Sequence, residues 1–310
     1  MADIGLQSQI WRNNRTSLAL LVVFPLLLLG LLWVVLFFAF KAEGDWPTLE
    51  QVNLAWTRLA PILSGLVLVW FLIAWLSYGG ILRKATSARP LERQDEPRVY
   101  NLLENLCMSR GIPMPSLQII EDDSLNAYAS GLGEKSFAIA VSRGLVNKLD
   151  DPELEAVLAH ELSHIRNRDV RLLMISIIFV GIFAFLAEMA ARTGSRPSRR
   201  DKDDKGAGLI IVLVIFLAYL VSMVLRFAIS RKREFLADAG AVELTKNAPA
   251  LASALRKIAE DPYIEAVKRD DVAQLFIQHP RVIQPKPNFL TRVFATHPPI
   301  EERIKVLEGW

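Results

Sequence analysis

The sequence predicts a membrane α+β protein: four hydrophobic helices together with a mostly helical domain that contains a small β-sheet. Three observations carry this expectation. Two long runs, Ser17–Phe40 and Ala60–Leu82, contain no charged residue. Short alternating segments bounded by turn residues lie between 117 and 142. Residues 160–164 read His-Glu-Leu-Ser-His inside a stretch of helical periodicity. With 52% of 310 residues hydrophobic and concentrated in long runs, an ordinary soluble domain is excluded.

After an N-terminal tail (1–16), the first run (17–40) exceeds the roughly 20 residues needed to cross a hydrocarbon core. A signal-peptide core would be about 7–15 residues with a clear cleavage site, so the run is expected to be retained. An extracytoplasmic loop (41–59) and a second span (60–82) follow, with Pro25 and Pro61 tolerable inside them. Arg12 and Arg15 precede the first span, Lys41 and Arg58 lie in the loop, and Arg83, Lys84, Arg89 and Arg93 follow the second span. Basic residues favour the cytoplasmic side, which puts the N-terminus and the chain after 83 there. The net charge of +3 sits beside these spans, so the lipid bilayer is the expected partner and nucleic acid is not. Cys107 is the single cysteine; no disulfide can form within the chain, which suits a reducing compartment.

Two further apolar runs, 172–191 and 209–230, carry Glu188 and Arg226 near their ends. They are expected to enter the membrane as an antiparallel hairpin around a flexible charged loop (192–208), the alternative being a buried hairpin in a soluble domain. A full crossing would export Arg192, Arg196, Arg199, Arg200, Lys202 and Lys205 against the positive-inside preference. A re-entrant pair avoids this, but two full spans are the expectation because the hydrophobic length of each run suffices.

The first catalytic segment (83–171) opens with an amphipathic helix over Pro97–Ser109, closed by Gly111. Strands are expected at Leu117–Glu121, Asn126–Ser130 and Ser136–Ser142, with turns between them. Either of the last two can be an edge strand that pairs an extended peptide, through positions such as Asn126 and Ala127 or Ala138, Ile139 and Ala140. Next comes a helix with Asp151 as N-cap, Pro152 in its first turn, and Glu153 and Glu155 at the positive end of its dipole. No Gly or Pro interrupts it before Gly181. On that helix His160 and His164 are one turn apart and share a face, so both imidazoles can grip one Zn²⁺ with Glu161 beside it as general base.

A catalytic zinc takes three protein ligands and keeps a position open. The only other histidines are His279 and His297, and one cysteine cannot build a thiolate site, so a carboxylate is the candidate third ligand. In the last segment (231–310), Glu234 and Asp238 are four residues apart on one helical face. Glu234 can bind the metal while Asp238 accepts the free ring N–H of a ligand histidine. Residues 261–287 read as a loop or lid, and Pro298-Pro299 opens a last helix with Ile300, Ile304 and Leu307 facing inward.

These pieces resemble the HtpX-type membrane metallopeptidases, gluzincin-class relatives of the CAAX prenyl proteases. The match is carried by Asn126-Ala127-Tyr128-Ala129-Ser130-Gly131, Arg143-Gly144-Leu145, Val157 through Ile165 with Asp169, Glu234 through Asp238, and Thr296-His297-Pro298-Pro299 with Arg303, in family order. Tyr128 stands where Phe is commoner. The resemblance implies a zincin-like catalytic domain and one Zn²⁺ per chain, with Glu234 as third ligand beside His160 and His164. It also implies a bacterial cytoplasmic-membrane enzyme that acts on misfolded or damaged membrane proteins in quality control.

In the mechanism this suggests, Glu161 moves a proton from water to the leaving amine, and a cation or donor steadies the oxyanion. His297 and Arg303 are the candidates for that donor, since in the relatives a His-Pro pair and an Arg six residues on lie near the metal. The alternative is a helix cap for His297 and a structural ion pair for Arg303. Rival functions are a selective processing peptidase of the CAAX type and a catalytically silent membrane scaffold or chaperone. Intact Glu161 between its histidines argues against the silent form.

Overall fold

The structure, a computed structural model, describes residues 6–42, 46–194, 231–265, 275–277 and 298–310, with the single positions 212, 216 and 267. In chain order the helices are α1 (Leu6–Ala42), α2 (Leu49–Thr86), α3 (Pro97–Arg110), α4 (Arg143–Lys148), α5 (Asp151–Arg166), α6 (Asp169–Gly194), α7 (Arg231–Thr245), α8 (Ala248–Glu260) and α9 (Ile300–Leu307). The strands are β1 (Ala88–Pro90), β2 (Ser116–Ile120), β3 (Ala127–Ser130) and β4 (Ala138–Ser142). The chain divides into two compact units, one of Arg15–Leu76 with Ile175–Arg226, the other of Met1–Asn14, Ser77–Met174 and Phe227–Trp310.

The stretches Asn13–Lys41 and Leu49–Thr86, most of each in the first unit, are long and apolar enough to cross a membrane, the only two such among the described residues. Leu66, Ile73 and Leu76 on α2 are 63%, 58% and 77% exposed, a lipid-facing pattern that the core helix of a soluble domain does not show. Trp56 Nε1 donates to Leu29 O (2.9 Å) and Trp33 Nε1 to Asn53 Oδ1 (2.9 Å), joining α1 to α2. The ring of Phe179 on α6 stacks on Phe24 and Phe71.

The expected loop 41–59 is shorter in the structure. Helix α2 begins at Leu49 because Thr48 and Gln51 form a reciprocal cap: Thr48 Oγ1 accepts from Gln51 N (3.3 Å) and Gln51 Oε1 from Thr48 N (3.0 Å). The third apolar run lies within α6. The fourth, 209–230, and most of the charged loop 192–208 lie outside the described residues.

In the second unit α5 is the central element. Leu154, Val157, Leu158 and Leu162 have no exposed surface, and burial of each contributes roughly 1.5–3 kcal/mol. Its N-cap is Asp150 rather than Asp151: Asp150 Oδ1 accepts from Glu153 N (2.9 Å) and Glu153 Oε2 accepts from Asp150 N (3.0 Å). Asp151 instead pairs with Arg98. Glu153 also accepts from Ser253 Oγ (2.7 Å) and Lys257 Nζ (2.6 Å), which pins the start of α5 to α8.

The helix expected to run unbroken to Gly181 stops at Arg166. Arg168 adopts a left-handed φ of 57°, at a cost of about 1–2 kcal/mol, and α6 restarts at Asp169. Arg233 Nη1 donates to Asp169 O (3.1 Å) across this break.

The sheet order is β1-β2-β4-β3. Strand β4 pairs in parallel with β2 and antiparallel with β3, so the expectation that Ser136–Ser142 supplies an edge is overturned. Every residue of β4 is buried, its Ile and Val packing to one side and its Ala to the other. The backbone of Ala138, Ile139 and Ala140 is enclosed by neighbours on both sides. The edges are β3 and the three-residue β1, which carries too little pattern to be read from sequence.

Helix α7 runs through Gly240 to Thr245 and packs on α5. A Cβ at Gly240 would stand 2.6 Å from Ser163 Oγ and 2.9 Å from Ser163 Cβ, so the two helices touch backbone to side chain here. Gly240→Ala is expected to cost about 1–3 kcal/mol through overpacking and to weaken metal binding, because it wedges apart the helices that carry the candidate ligands. An unchanged thermal midpoint together with unchanged metal affinity would refute this.

Candidate metal centre and active site

On α5, His160 and His164 face α7, and their Nε2 atoms are 3.1 Å apart. Glu234, near the start of α7, sends Oε2 to 3.7 Å from His160 Nε2 and Oε1 to 3.7 Å from His164 Nε2. Donors about 2.1 Å from a tetrahedral ion are separated by about 3.4 Å, and the observed distances bracket that value. Two imidazoles and a carboxylate are a donor set for a borderline divalent ion. Glu161 is 1% exposed, and its Oε1 has no hydrogen-bond partner among the described residues. The residues present therefore fit a metal ion with a carboxylate held beside it.

Each histidine is oriented from behind. His160 Nδ1 lies 2.9 Å from Asp238 Oδ1, and His164 Nδ1 lies 3.0 Å from Asp169 Oδ2, an arrangement that turns both Nε2 atoms inward. Asp169 is delivered by the break after α5. Spacing along the chain assigns it no task; the Asn167-Arg168-Asp169 stretch, with its turn-forming Asn, is the signal available for it.

Arg303, on α9, is 1% exposed. Its Nε donates to Asp238 Oδ2 (2.9 Å), its Nη2 to Asp238 Oδ1 (2.7 Å) and its Nη1 to Ile277 O (3.1 Å). Nη1 is also 3.4 Å from Glu234 Oε2. On the same helix Ile300 and Leu307 are buried, while Ile304 is half-buried.

The electrostatics follow from burial and close charges. Burial raises the Glu161 carboxyl above its ordinary range, only partly opposed by the two histidines. Burial pushes His164 down, but Asp169, Glu234 and Glu161 outweigh this and raise it to about 9. His160 is likewise raised against its burial by Asp238 and Glu234. Asp238, despite burial, is held low by Arg303 and His160. The carboxylates thus draw positive charge into the space between the imidazoles, and a divalent ion there replaces protons.

Around this centre is a cavity of about 30 Å³, lined in part by Ala129, Glu161, His164, Glu234, Phe276 and Ile277. Asn126, from the expected substrate strand, turns its Nδ2 to Pro262 O (2.9 Å). Ala127 O accepts from Ile277 N (2.9 Å). The Tyr128 hydroxyl, extra relative to Phe, has a partner in Thr86 Oγ1 (3.1 Å). His297 and His279 lie outside the described residues. The part taken by Leu275–Ile277 is not readable from sequence, where the surrounding stretch shows only weak periodicity.

Residues 93–310 match the profile of peptidase family M48. The chain belongs to peptidase family M48. This M48 chain is 52% identical over 320 aligned positions to a protease HtpX homolog of Bacteroides fragilis (strain YCH46), covering 99% of both proteins. It is 36% identical over 313 positions to a protease HtpX homolog of Lactobacillus helveticus (strain DPC 4571), covering 98% of this chain and 99% of that one. The crystal structure of S. mikatae Ste24p is similar with a TM-score of 0.49 and 22% identity, over 96% of this chain and 66% of that one. The M48 protein is a membrane metallopeptidase, and His160, His164 and Glu234 form a group able to hold its metal ion.

Proposed function

We propose that the protein is a zinc-dependent endopeptidase of the bacterial cytoplasmic membrane, with its active site on the cytoplasmic side, that hydrolyses misfolded or damaged membrane proteins. The carrying observation is the convergence of His160, His164 and Glu234 at separations of 3.1–3.7 Å with Glu161 buried beside them. Zinc, when bound, supplies a Lewis acid that acidifies water and polarises a peptide carbonyl. Glu161, buried beside the donor set, takes the proton from water and passes it to the leaving amine nitrogen. Asp238 and Asp169 keep the two imidazoles in the tautomer that offers Nε2. Arg303, committed to Asp238 and Ile277, acts in this reading as a positioning residue that neutralises the buried carboxylates, which leaves His297 as the candidate to meet the oxyanion. The cytoplasmic side is supported by the basic residues at 83, 84, 89 and 93. The quality-control role is what the resemblance to the HtpX-type metallopeptidases implies, while the likeness to protease HtpX homologs supports proteolysis.

The test is elemental analysis of the purified protein combined with cleavage of an unfolded membrane protein. About one zinc per chain is expected, with activity lost on chelation and restored by zinc. Cleavage that survives complete metal removal would sink the reading.

A further inference from the structure

Strand β3 is an edge of the sheet, yet its outer side is already taken. Tyr128 forms an isolated antiparallel bridge with Phe276, and Ile277 N donates to Ala127 O (2.9 Å). The Phe276 ring meets the Tyr128 ring edge-on, with centroids 4.8 Å apart. Leu275, Phe276 and Ile277 are 8%, 0% and 2% exposed. Together with Glu161, His164 and Glu234 they line the cavity of about 30 Å³. That is room for about two water molecules, and a peptide chain does not fit.

Taking the edge-strand mode of peptide binding expected from the sequence, we infer that Leu275-Phe276-Ile277 is the resident occupant of the outer edge of β3 at Ala127–Ala129, an internal stand-in which substrate displaces. The inference rests on the peptidase reading of the same site. Three features support it. The segment uses the backbone groups by which an edge strand takes up an extended peptide. It runs antiparallel to β3, which sets the direction of the incoming chain. It leaves no space for a second chain between itself and Glu161. The seat occupied by Phe276 against Tyr128 further specifies the ligand as an extended peptide with a large apolar side chain at the position facing Tyr128.

The test separates occupancy from chemistry by measuring binding without turnover. In the full-length protein carrying Glu161→Gln and Cys107→Ser, Tyr128→Cys with Phe276→Cys places two thiols on opposed residues of an antiparallel pair, within reach of a disulfide. The probe is a fluorescent unfolded peptide rich in Phe and Leu. Oxidation is expected to weaken its binding at least tenfold, with zinc content unchanged, and reduction to restore it. Equal affinity in the oxidised and reduced forms, or no binding in the reduced form, would overturn the inference. Should the disulfide fail to close, Ile277→Pro decides. Losing the N–H that bonds Ala127, it is expected to bind the peptide several-fold more tightly than its parent with zinc content and thermal midpoint retained, which a misfolded protein would lose. Unchanged or weaker binding in that variant makes the segment a fixed wall and overturns the inference. Cleavage by the corresponding Glu161-containing proteins is read separately: peptide bound but never cut, with zinc present, would fail the peptidase reading while leaving the occupancy result intact.

Discussion

Glu161→Gln is expected to leave the metal bound at close to its normal stoichiometry and to cut peptide hydrolysis by about 10²–10⁴-fold. The exchange is nearly isosteric, and Glu161 is not among the three donors that converge at 3.1–3.7 Å. What disappears is the carboxylate which, among the described residues, is buried beside them and able to accept a proton from water and hand it on. His160→Ala and Glu234→Ala should instead lose metal and activity together, since each removes a donor from a set of three. The contrast between the two outcomes is the informative part. Wild-type cleavage by purified Glu161→Gln would mean that the chemistry has been assigned to the wrong group.

The second large effect is expected at Arg303. Arg303→Met keeps much of the side-chain volume but leaves the Asp238 carboxylate, and part of the charge of Glu234, buried without their cation. Breaking a buried pair in this way costs about 3–5 kcal/mol. The thermal midpoint should fall steeply, and zinc should be lost to a competing chelator at lower concentration, because Asp238 no longer holds His160 in place. Arg303→Lys restores the charge but cannot reproduce the bidentate bond to Asp238, so an intermediate result is expected. A thermal midpoint and zinc affinity at the wild-type level in Arg303→Met would show that the guanidinium is not what organises this centre.

The parts of the site legible in the sequence are those set by spacing along one helix. His160 and His164 at i and i+4, and Glu234 and Asp238 at the same interval, declare a common face through helical periodicity alone. Gly111 as a C-cap is legible for a similar reason: its φ of 61° is a conformation that glycine adopts readily. The end of α5 is not legible, because Arg168 takes the left-handed conformation without being Gly, Asn or Asp. The place of β4 is hidden differently. Its alternating residues are compatible with an edge or a centre, and only the pairing of β2 and β3 on either side decides between them. Arg303 can be singled out by resemblance, but its partners lie on α7 and at Ile277, and no local pattern reveals a contact so distant along the chain. The start of α2 is legible in principle, since Thr48 and Gln51 have the spacing of a capping box, but the charge-free run that marks the span begins only at Ala60 and draws the boundary too late.

Arg303 bears on His160 across 143 residues of sequence, and it lies near the C-terminal end of the chain. At synthesis rates of about 5–20 residues per second, a nascent chain carries its paired histidines and Glu161 for roughly 7–30 s before the arginine that braces them has been made. During that interval α9 cannot dock and Asp238 has no guanidinium to hold it. Biosynthesis therefore imposes an order in which the paired histidines come first and the arginine that braces them later. A centre braced from so distant a segment is complete only after α9 has been made and docked.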